Sequence, residues 1–198
     1  LAESTLEEVG EEVFAKHLIR QIYPESRALV EAHQRAGHTV AIISSATRYQ
    51  VAPFARELGI DLVMNTELEV KDGVFTGEVV HPTCYGEGKA IAARQVAEQE
   101  GADLDESYFY SDSHEDIQLL EAVGRPRPLN PNRQLAQIAK ERNWPVRRFR
   151  SRGTPSLGDV IRTGLSYASV GPALGAGIIA GLVNGSYREG LNVSGSVW

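Results

Sequence analysis

Two short runs of strand-forming residues constrain the fold of this 198-residue chain more than any other feature. The first, TVAIIS, spans Thr39–Ser44, and it is continuous, apolar and rich in β-branched residues. That pattern is typical of a parallel strand that is buried on both faces of a sheet. The second run, SYFYS, spans Ser107–Ser111 and also predicts a strand. We therefore predict at least two separate strands inside the domain.

Stretches with helical spacing of apolar residues alternate with these strands. A short strand is also predicted at 61–66, a hairpin around Asp72-Gly73 and a loop at 125–131, while 145–149 is compatible with a last strand. Alternating strands and helices indicate an α/β domain with a mostly parallel, Rossmann-like sheet. The predicted helices lie within 6–22, 24–38, 48–60, 89–101, 116–124 and 132–144.

Polar residues follow both central strands at the point where each strand ends. Ser44 and Ser45 close the first strand, and their hydroxyl and backbone N–H groups suit a phosphate oxygen. Asp112 follows the second strand, with Asp116 four residues later, and paired hard oxygen ligands suit Mg²⁺. In parallel sheets, ligands bind beyond the carboxyl ends of the strands. The simpler alternative for the two acids is a helix N-cap followed by an exposed side chain.

Lys89 lies in the first turn of a predicted helix, in the segment YGEGKAIAARQ. A cation is unfavourable there, because the helix dipole places positive charge at the N-terminus. A nearby anion would explain the lysine, and a solvated surface lysine is the alternative.

The order of these features resembles the haloacid dehalogenase superfamily, and most closely its phosphoserine phosphatase branch. The resemblance is carried by Ser44, Lys89, Asp112 and Asp116, together with the hairpin LEVKDGVFTGEV. It implies a Mg²⁺-dependent phosphomonoester hydrolase that acts through an aspartyl-phosphate on a small phosphorylated substrate. Ser44, Ser45 and Lys89 would bind the phosphoryl group, Asp112 and Asp116 the metal, and Asp116 would also orient Lys89 or a water.

The chain departs from the family pattern at two places. Ser111-Asp112-Ser113 stands where phosphoserine phosphatases usually have Gly-Asp-Gly, and Glu115 stands in place of Asn. The family's nucleophile motif, Asp-x-Asp-x-Thr after an apolar strand, has no convincing match, since DLDES at Asp103–Ser107 lies too late in the chain. We therefore expect the nucleophile before Leu1, so that 1–23 is the end of a helical cap and 24–150 an incomplete phosphatase core. The resemblance implies that the strand carrying the nucleophile lies between the strands that end at Ser44 and Asp112, so that without it these two strands would expose unpaired backbone groups.

Composition excludes two other classes of protein. The net charge of −6 argues against a nucleic-acid partner, and a single cysteine, Cys84, excludes a disulfide framework and fits a reducing, cytoplasmic compartment. Cys84 is interpreted as a small side chain near a turn. His81 and His114 are interpreted as exposed loop residues.

The last quarter of the sequence has a different character. Residues 151–162 read as a linker, and 163–187 is rich in Gly and Ala and contains no charged residue. That length could span or coat a membrane, although Pro172 and the glycines are also compatible with a soluble linker. The arginines of ERNWPVRRFRSR just before it fit an anchor on the inner face of the cell membrane.

The whole arrangement also resembles bacterial two-part proteins in which a phosphatase-like domain precedes a 1-acylglycerol-3-phosphate acyltransferase. On this resemblance, 163–198 would be a membrane-associating segment that leads to a downstream acyltransferase domain. It leaves an alternative function open: a non-catalytic module that regulates or tethers the acyltransferase.

Overall fold

The computed structural model describes residues 1–149 and the backbone of residues 176–180. The predicted linker, 151–162, and most of the predicted membrane-associating segment, 163–198, lie outside the described residues. Within the described part of the chain, no helix is both long enough and apolar enough to cross a membrane.

Five parallel strands form the central sheet, in the order β2-β1-β7-β5-β6. A separate antiparallel hairpin joins β3 and β4. These findings confirm the predicted α/β architecture. The strands are β1 Thr39–Thr47, β2 Leu62–Thr66, β3 Leu68–Lys71, β4 Val74–Val79, β5 Asp103–Ser111, β6 Arg125–Pro128 and β7 Ala176–Ala180.

Helices cover both faces of the sheet, as the predicted alternation requires. The helices are α1 Glu3–Val13, α2 Pro24–Arg35, α3 Arg48–Leu58, α4 Glu87–Glu100, α5 Ile117–Ala122 and α6 Arg133–Glu141. A π-helical turn, Phe14–Leu18, and a 3₁₀ turn, Ile19–Gln21, continue α1, and a second 3₁₀ turn, His114–Asp116, precedes α5.

The alternation of side chains along the strands divides the core into two clusters. Ile42 and Tyr110 face the side of α2 and α3, whereas Ile43 and Phe109 face α4, α5 and α6. Ile42, Ile43 and Phe109 are fully buried. Strands that are apolar on both faces belong in the middle of a three-layer domain, which is why the two runs predicted the interior of the sheet.

Two strand predictions were wrong. The segment RPRP, expected in a loop, forms the edge strand β6, which pairs with β5 from Tyr108↔Arg125 to Ser111↔Pro128. Proline is tolerated there because an edge strand leaves one side without ladder hydrogen bonds. Conversely, the segment expected as a last strand makes only one isolated bridge, Leu129↔Arg147.

The middle of the sheet also differs from expectation. We expected β1 and β5 to be left with unpaired backbone groups between them, but β7 lies there and pairs with both, through Ala41↔Ile179 and Phe109↔Ile179. Five residues of the predicted apolar segment therefore form a strand. In addition, β5 begins at Asp103 rather than at Ser107, which is earlier than the SYFYS run indicated.

The N-terminal segment is anchored to the hairpin and to α3. The N–H of Phe75 donates to the carbonyl oxygen of Leu1, at 3.0 Å, and Ala2 bridges to Val74. Arg48 pairs with Glu3 on α1. That 1–23 is the end of a larger cap stays a prediction.

Replacing Gly10 by Ala is expected to destabilise the fold. A β-carbon at this position would lie 2.2 Å from the carbonyl oxygen of Tyr49, so α1 could no longer lie against α3 without moving. Overpacking of this kind costs about 1–3 kcal/mol, whereas Gly→Ala at an open helical position usually stabilises. Urea denaturation measures the difference, with the exposed Ser4→Ala as control. A G10A protein as stable as its parent would contradict the packing of α1 on α3.

Two buried histidines are expected to make the fold sensitive to acid. His33 is fully buried; its Nδ1 lies 2.9 Å from Nδ1 of His38 and its Nε2 lies 3.0 Å from the hydroxyl of Tyr110. Burial lowers the pKa of His33 from 6.5 to about 3, and the neighbouring His38 lowers it further in the same direction. The unfolded chain therefore takes up a proton below pH 6.5 that the folded chain refuses until about pH 3.

Stability is consequently expected to fall through that window, by about 1.4 kcal/mol per pH unit from this residue. His33→Gln should flatten the dependence of unfolding free energy on pH between 6.5 and 4, even if it lowers stability at pH 7. The control is the exposed His81→Gln. An unchanged slope in H33Q would show that other groups cause the acid sensitivity.

Candidate active site

A buried ion pair lies at the centre of the site. Nζ of Lys89, on the first turn of α4, is 2.7 Å from Oδ1 of Asp116, which ends the 3₁₀ turn after β5. Each residue is only 1% exposed. The alternative of a solvated surface lysine is therefore wrong for Lys89. Asp116 is the nearby anion that the sequence predicted from the position of Lys89 at a helix N-terminus.

Serines complete the hydrogen bonding of Asp116. The hydroxyl of Ser111, the last residue of β5, donates to Oδ2 of Asp116 at 2.6 Å. The Ser111 oxygen in turn accepts the N–H of Ser113 at 3.1 Å. Both oxygens of the Asp116 carboxylate are thus engaged, which fixes the orientation of an almost fully buried side chain.

The loop before α4 positions Lys89 through glycine. Gly88 packs so closely on Thr83 that a β-carbon there would lie 1.9 Å from the Thr83 carbonyl oxygen. Gly86, the residue before the helix, has a φ of +53°, which favours glycine. Since the N–H of Lys89 donates to the Gly86 carbonyl, these two glycines determine where the lysine enters the core.

Ser44 lies in the last part of β1, which continues three residues beyond the predicted end at Ser44, to Thr47. It is 2% exposed, and its Oγ accepts the N–H of Ala46 at 3.2 Å. Ser45, the second predicted phosphate ligand, is half-buried. Because Ser44 receives a backbone hydrogen bond, its own hydroxyl proton can be donated to a ligand.

Cys84 connects the two parts of the site, which sequence reasoning missed. Its thiol is buried, and its electrostatic neighbours include Lys89, Asp116 and the backbone of Ser44. Burial raises the pKa of Cys84 to about 11, although the positive charge of Lys89 acts in the opposite direction. The thiol is therefore neutral at physiological pH and packs as a small apolar group. Its sequence position, five residues before Lys89, was the only available signal.

The predicted metal ligands are arranged unequally. Asp112 is half-buried directly after β5, and its carbonyl oxygen accepts the N–H of Asn132 at 2.8 Å. Asp116 is turned towards Lys89 and Ser111, so its role as a metal ligand stays a prediction. His114 contacts the Asn132 side chain. In the part of the chain that the structure describes, no three His, Cys, Asp or Glu side chains form a group that could hold a metal ion.

The ion pair is expected to show strong coupling in a double-mutant cycle. Lys89→Met leaves the buried Asp116 carboxylate without its cation, and Asp116→Leu leaves the buried ammonium without its anion, each at a cost of about 3–5 kcal/mol. The double variant removes both charges and should cost clearly less than the sum. Chemical denaturation measures the four proteins. Additive losses would contradict the direct pair, and the exposed pair Lys71 and Glu69 provides a control cycle with little coupling.

Comparison with known proteins identifies a family and several similar phosphatases. Residues 1–121 match the family model of haloacid dehalogenase-like hydrolases. The chain is 35% identical over 169 residues to a phosphoserine phosphatase of Mycobacterium tuberculosis, which covers 85% of this chain and 54% of that protein. It is 36% identical over 157 residues to a histidinol-phosphatase of Neisseria meningitidis, covering 76% of this chain and 71% of that one.

Solved structures agree in fold. A protein of unknown function from Bordetella pertussis is 32% identical with a TM-score of 0.70, covering 74% of this chain and 67% of that one. A substrate-bound phosphoserine phosphatase is 22% identical with a TM-score of 0.54 over 72% of this chain and 61% of that one, which shows the fold alone. The chain spans about half the length of the first related proteins. Together with the α/β sheet described above, these matches show that the chain belongs to the haloacid dehalogenase-like hydrolases and is similar to their phosphoserine phosphatases.

Proposed function

We propose that the complete protein is a Mg²⁺-dependent phosphomonoester hydrolase, similar to phosphoserine phosphatases, that acts through an aspartyl-phosphate. The observation that carries the proposal is the buried Lys89, held 2.7 Å from Asp116 at the edge of the sheet where Ser44 also lies. Burying a lysine is costly, and a fixed cation at a ligand-binding edge is an arrangement that stabilises developing phosphoryl charge.

The two phosphate-binding groups have hydrogen-bond capacity to spare. An ammonium group has three donors, and Lys89 uses one of them on Asp116. The Ser44 oxygen already accepts a backbone N–H, so its proton is available to a phosphoryl oxygen. In this proposal Asp116 and Ser111 hold Lys89 in place, and Lys89 and Ser44 bind the transferring group. Ser45 supports the same oxygens from the end of β1.

The family implies Mg²⁺, and the donor set in this chain fits it in part. Asp112, half-buried at the carboxyl end of β5, is a hard oxygen ligand of the kind Mg²⁺ uses, usually together with waters and one further carboxylate. We propose Asp112 as the metal ligand of this chain, with Asp116 as a weaker candidate because Lys89 and Ser111 engage its oxygens. When bound, the metal would supply positive charge that offsets charge on the phosphoryl oxygens.

The attacking carboxylate is proposed to come from outside the described residues, before Leu1. The middle strand, β7, has the sequence AGIIA and contains no carboxylate. Asp103 and Asp105 lie towards the opposite end of β5 from Ser111, about 26 Å and about 20 Å away along the strand, so neither is placed to attack. This agrees with their rejection as nucleophiles from the sequence.

The proposed substrate is a small phosphomonoester. The related proteins are named for phosphoserine and for histidinol phosphate, which share an amino group near the phosphorylated alcohol. For this chain we propose the same class, a phosphorylated amino alcohol or amino acid, in a cytoplasmic setting. A tether to the inner membrane face and a downstream acyltransferase domain remain part of the alternative reading.

Lys89→Met in the complete protein is expected to lower turnover of phosphoserine, histidinol phosphate and an aryl phosphate about 100-fold or more, because a preorganised charge at the transferring group is lost. The assay is phosphate release with Mg²⁺, and a folded K89M is checked by circular dichroism. Lys71→Met, on the hairpin, is the matched control and should retain full activity.

Two outcomes separate this proposal from the alternative of a non-catalytic tethering module. Absence of metal-dependent phosphate release by the complete protein on all three substrates would favour the module. Equal turnover by K89M and the parent would show that another group binds the phosphoryl oxygens.

A further inference from the structure

A concentration of arginines lies along β6, the strand at one side of the sheet, and the proposed reaction does not use it. Arg125 and Arg127 extend from β6, and their guanidinium carbons lie 5.1 Å and 5.3 Å from the centre of the Tyr108 ring. The bridge between Leu129 and Arg147 brings a third arginine beside this strand. The chain has a net charge of −6, so this cluster is a positively charged region on a negatively charged protein.

Acidic side chains form ion pairs with two of these arginines. Arg125 pairs with Glu106 and Arg142 pairs with Glu121. Arg127, which is half-buried, donates to the carbonyl oxygen of Pro126 at 2.9 Å, and no carboxylate among the described residues forms an ion pair with it. A partly desolvated guanidinium without a carboxylate favours an anion from outside the chain.

The electrostatics of Arg127 point the same way. Burial is the largest cause of its lowered pKa; Tyr110 and Tyr108 act in the opposite direction, and the positive charges of Arg147 and Arg125 lower the pKa. Like charges that repel one another in the folded chain are stabilised together when an anionic surface approaches. The cluster is therefore better suited to a partner with many negative charges than to a single carboxylate.

Apolar and aromatic residues adjoin the arginines. Trp144 is half-buried, and the guanidinium carbon of Arg142 lies over its ring, 5.0 Å from the ring centre. Val146 is 41% exposed. A groove of about 790 Å³ runs between this segment and the end of α5, with Arg127 in its wall. Tryptophan, arginine and exposed aliphatic side chains together are typical of the interface between a bilayer and water.

We propose that this basic edge, formed by Arg125, Arg127, Arg142, Arg147 and Arg148, binds the anionic headgroup surface of a lipid bilayer. A single-stranded nucleic acid is less suitable, because base stacking needs open aromatic faces. Tyr108 is buried, and Arg142 covers a face of Trp144. The proposal does not depend on the phosphatase activity. It also does not depend on residues 163–187, since an uncharged segment cannot distinguish headgroup charge.

The test is co-sedimentation of the 198-residue chain with vesicles. Pure phosphatidylcholine vesicles are compared with vesicles that contain one-third phosphatidylserine, at low and high salt. Binding is expected only to the anionic vesicles and should disappear at high salt. Each basic residue near an anionic surface contributes about fivefold to binding, so Arg127→Gln/Arg147→Gln should bind about 25-fold more weakly.

Two variants act as controls for charge and for folding. Arg35→Gln/Arg56→Gln removes the same charge from exposed positions on α2 and α3, and it should bind like the parent. Arg127→Lys/Arg147→Lys keeps the charge and should retain most of the binding. If the lysine variant loses binding as the glutamine variant does, the effect is structural and the proposal fails.

Other results would also overturn the proposal. These are binding to neither vesicle, equal binding to both, and equal binding by parent and Arg127→Gln/Arg147→Gln. A short DNA duplex that displaces the chain from anionic vesicles at equal phosphate concentration would identify the edge as a nucleic-acid site instead.

Discussion

The ion pair between Lys89 and Asp116 is the interaction on which the arrangement of the site depends. Two charges removed from water are stable only if each finds its partner at close range and the remaining lone pairs are hydrogen-bonded. That requirement fixes the start of α4, where Gly88 allows close packing on Thr83, relative to the end of β5, where Ser111 completes the carboxylate. Displacing either element would leave a buried charge uncompensated, so the pair ties the geometry of a phosphate-binding edge to the stability of the core.

The sequence predicted this edge because its signals are local. Polar residues that follow a run of apolar strand residues mark the approach to the carboxyl end of the strand, so Ser44 and Asp112 could be placed without knowledge of the sheet order, although β1 continues to Thr47. Lys89 was placed by an electrostatic conflict, a cation at the positive end of a helix, which only a nearby anion resolves. Which residue provides that anion could not be read from the local sequence, because the anion lies on a different element from Lys89. Asp116 was expected to bind the metal or to orient Lys89, and in the structure its carboxylate contacts Lys89 and Ser111.

The features that sequence reasoning missed depend on partners distant in the chain. The segment RPRP has the composition of a loop, and only the exposed edge of β5 makes it a strand. Cys84 has no motif, and its place between Lys89 and Ser44 results from the turn that leads into α4. The five residues AGIIA are equally apolar in a membrane, in a helix or in a sheet, and their environment is decided by the gap between β1 and β5. Periodicity carries no information about such pairings.

The middle of the sheet connects the proposals for the catalytic core and for the apolar segment. A gap between β1 and β5 would leave two rows of N–H and C=O groups unpaired in the interior, which is more costly than the entropy of ordering a five-residue strand. β7 relieves that cost in the structure. If the complete protein supplies a strand that carries the nucleophile in the family's position, that strand needs the same hydrogen bonds from β1 and β5. The gap between β1 and β5 has room for only one strand, so the two strands would compete for it. Residues 176–180 can therefore pair with β1 and β5, or leave that position to a catalytic strand and associate with another apolar surface. Completion of the active site and release of the apolar segment are thus expected to be the same structural event.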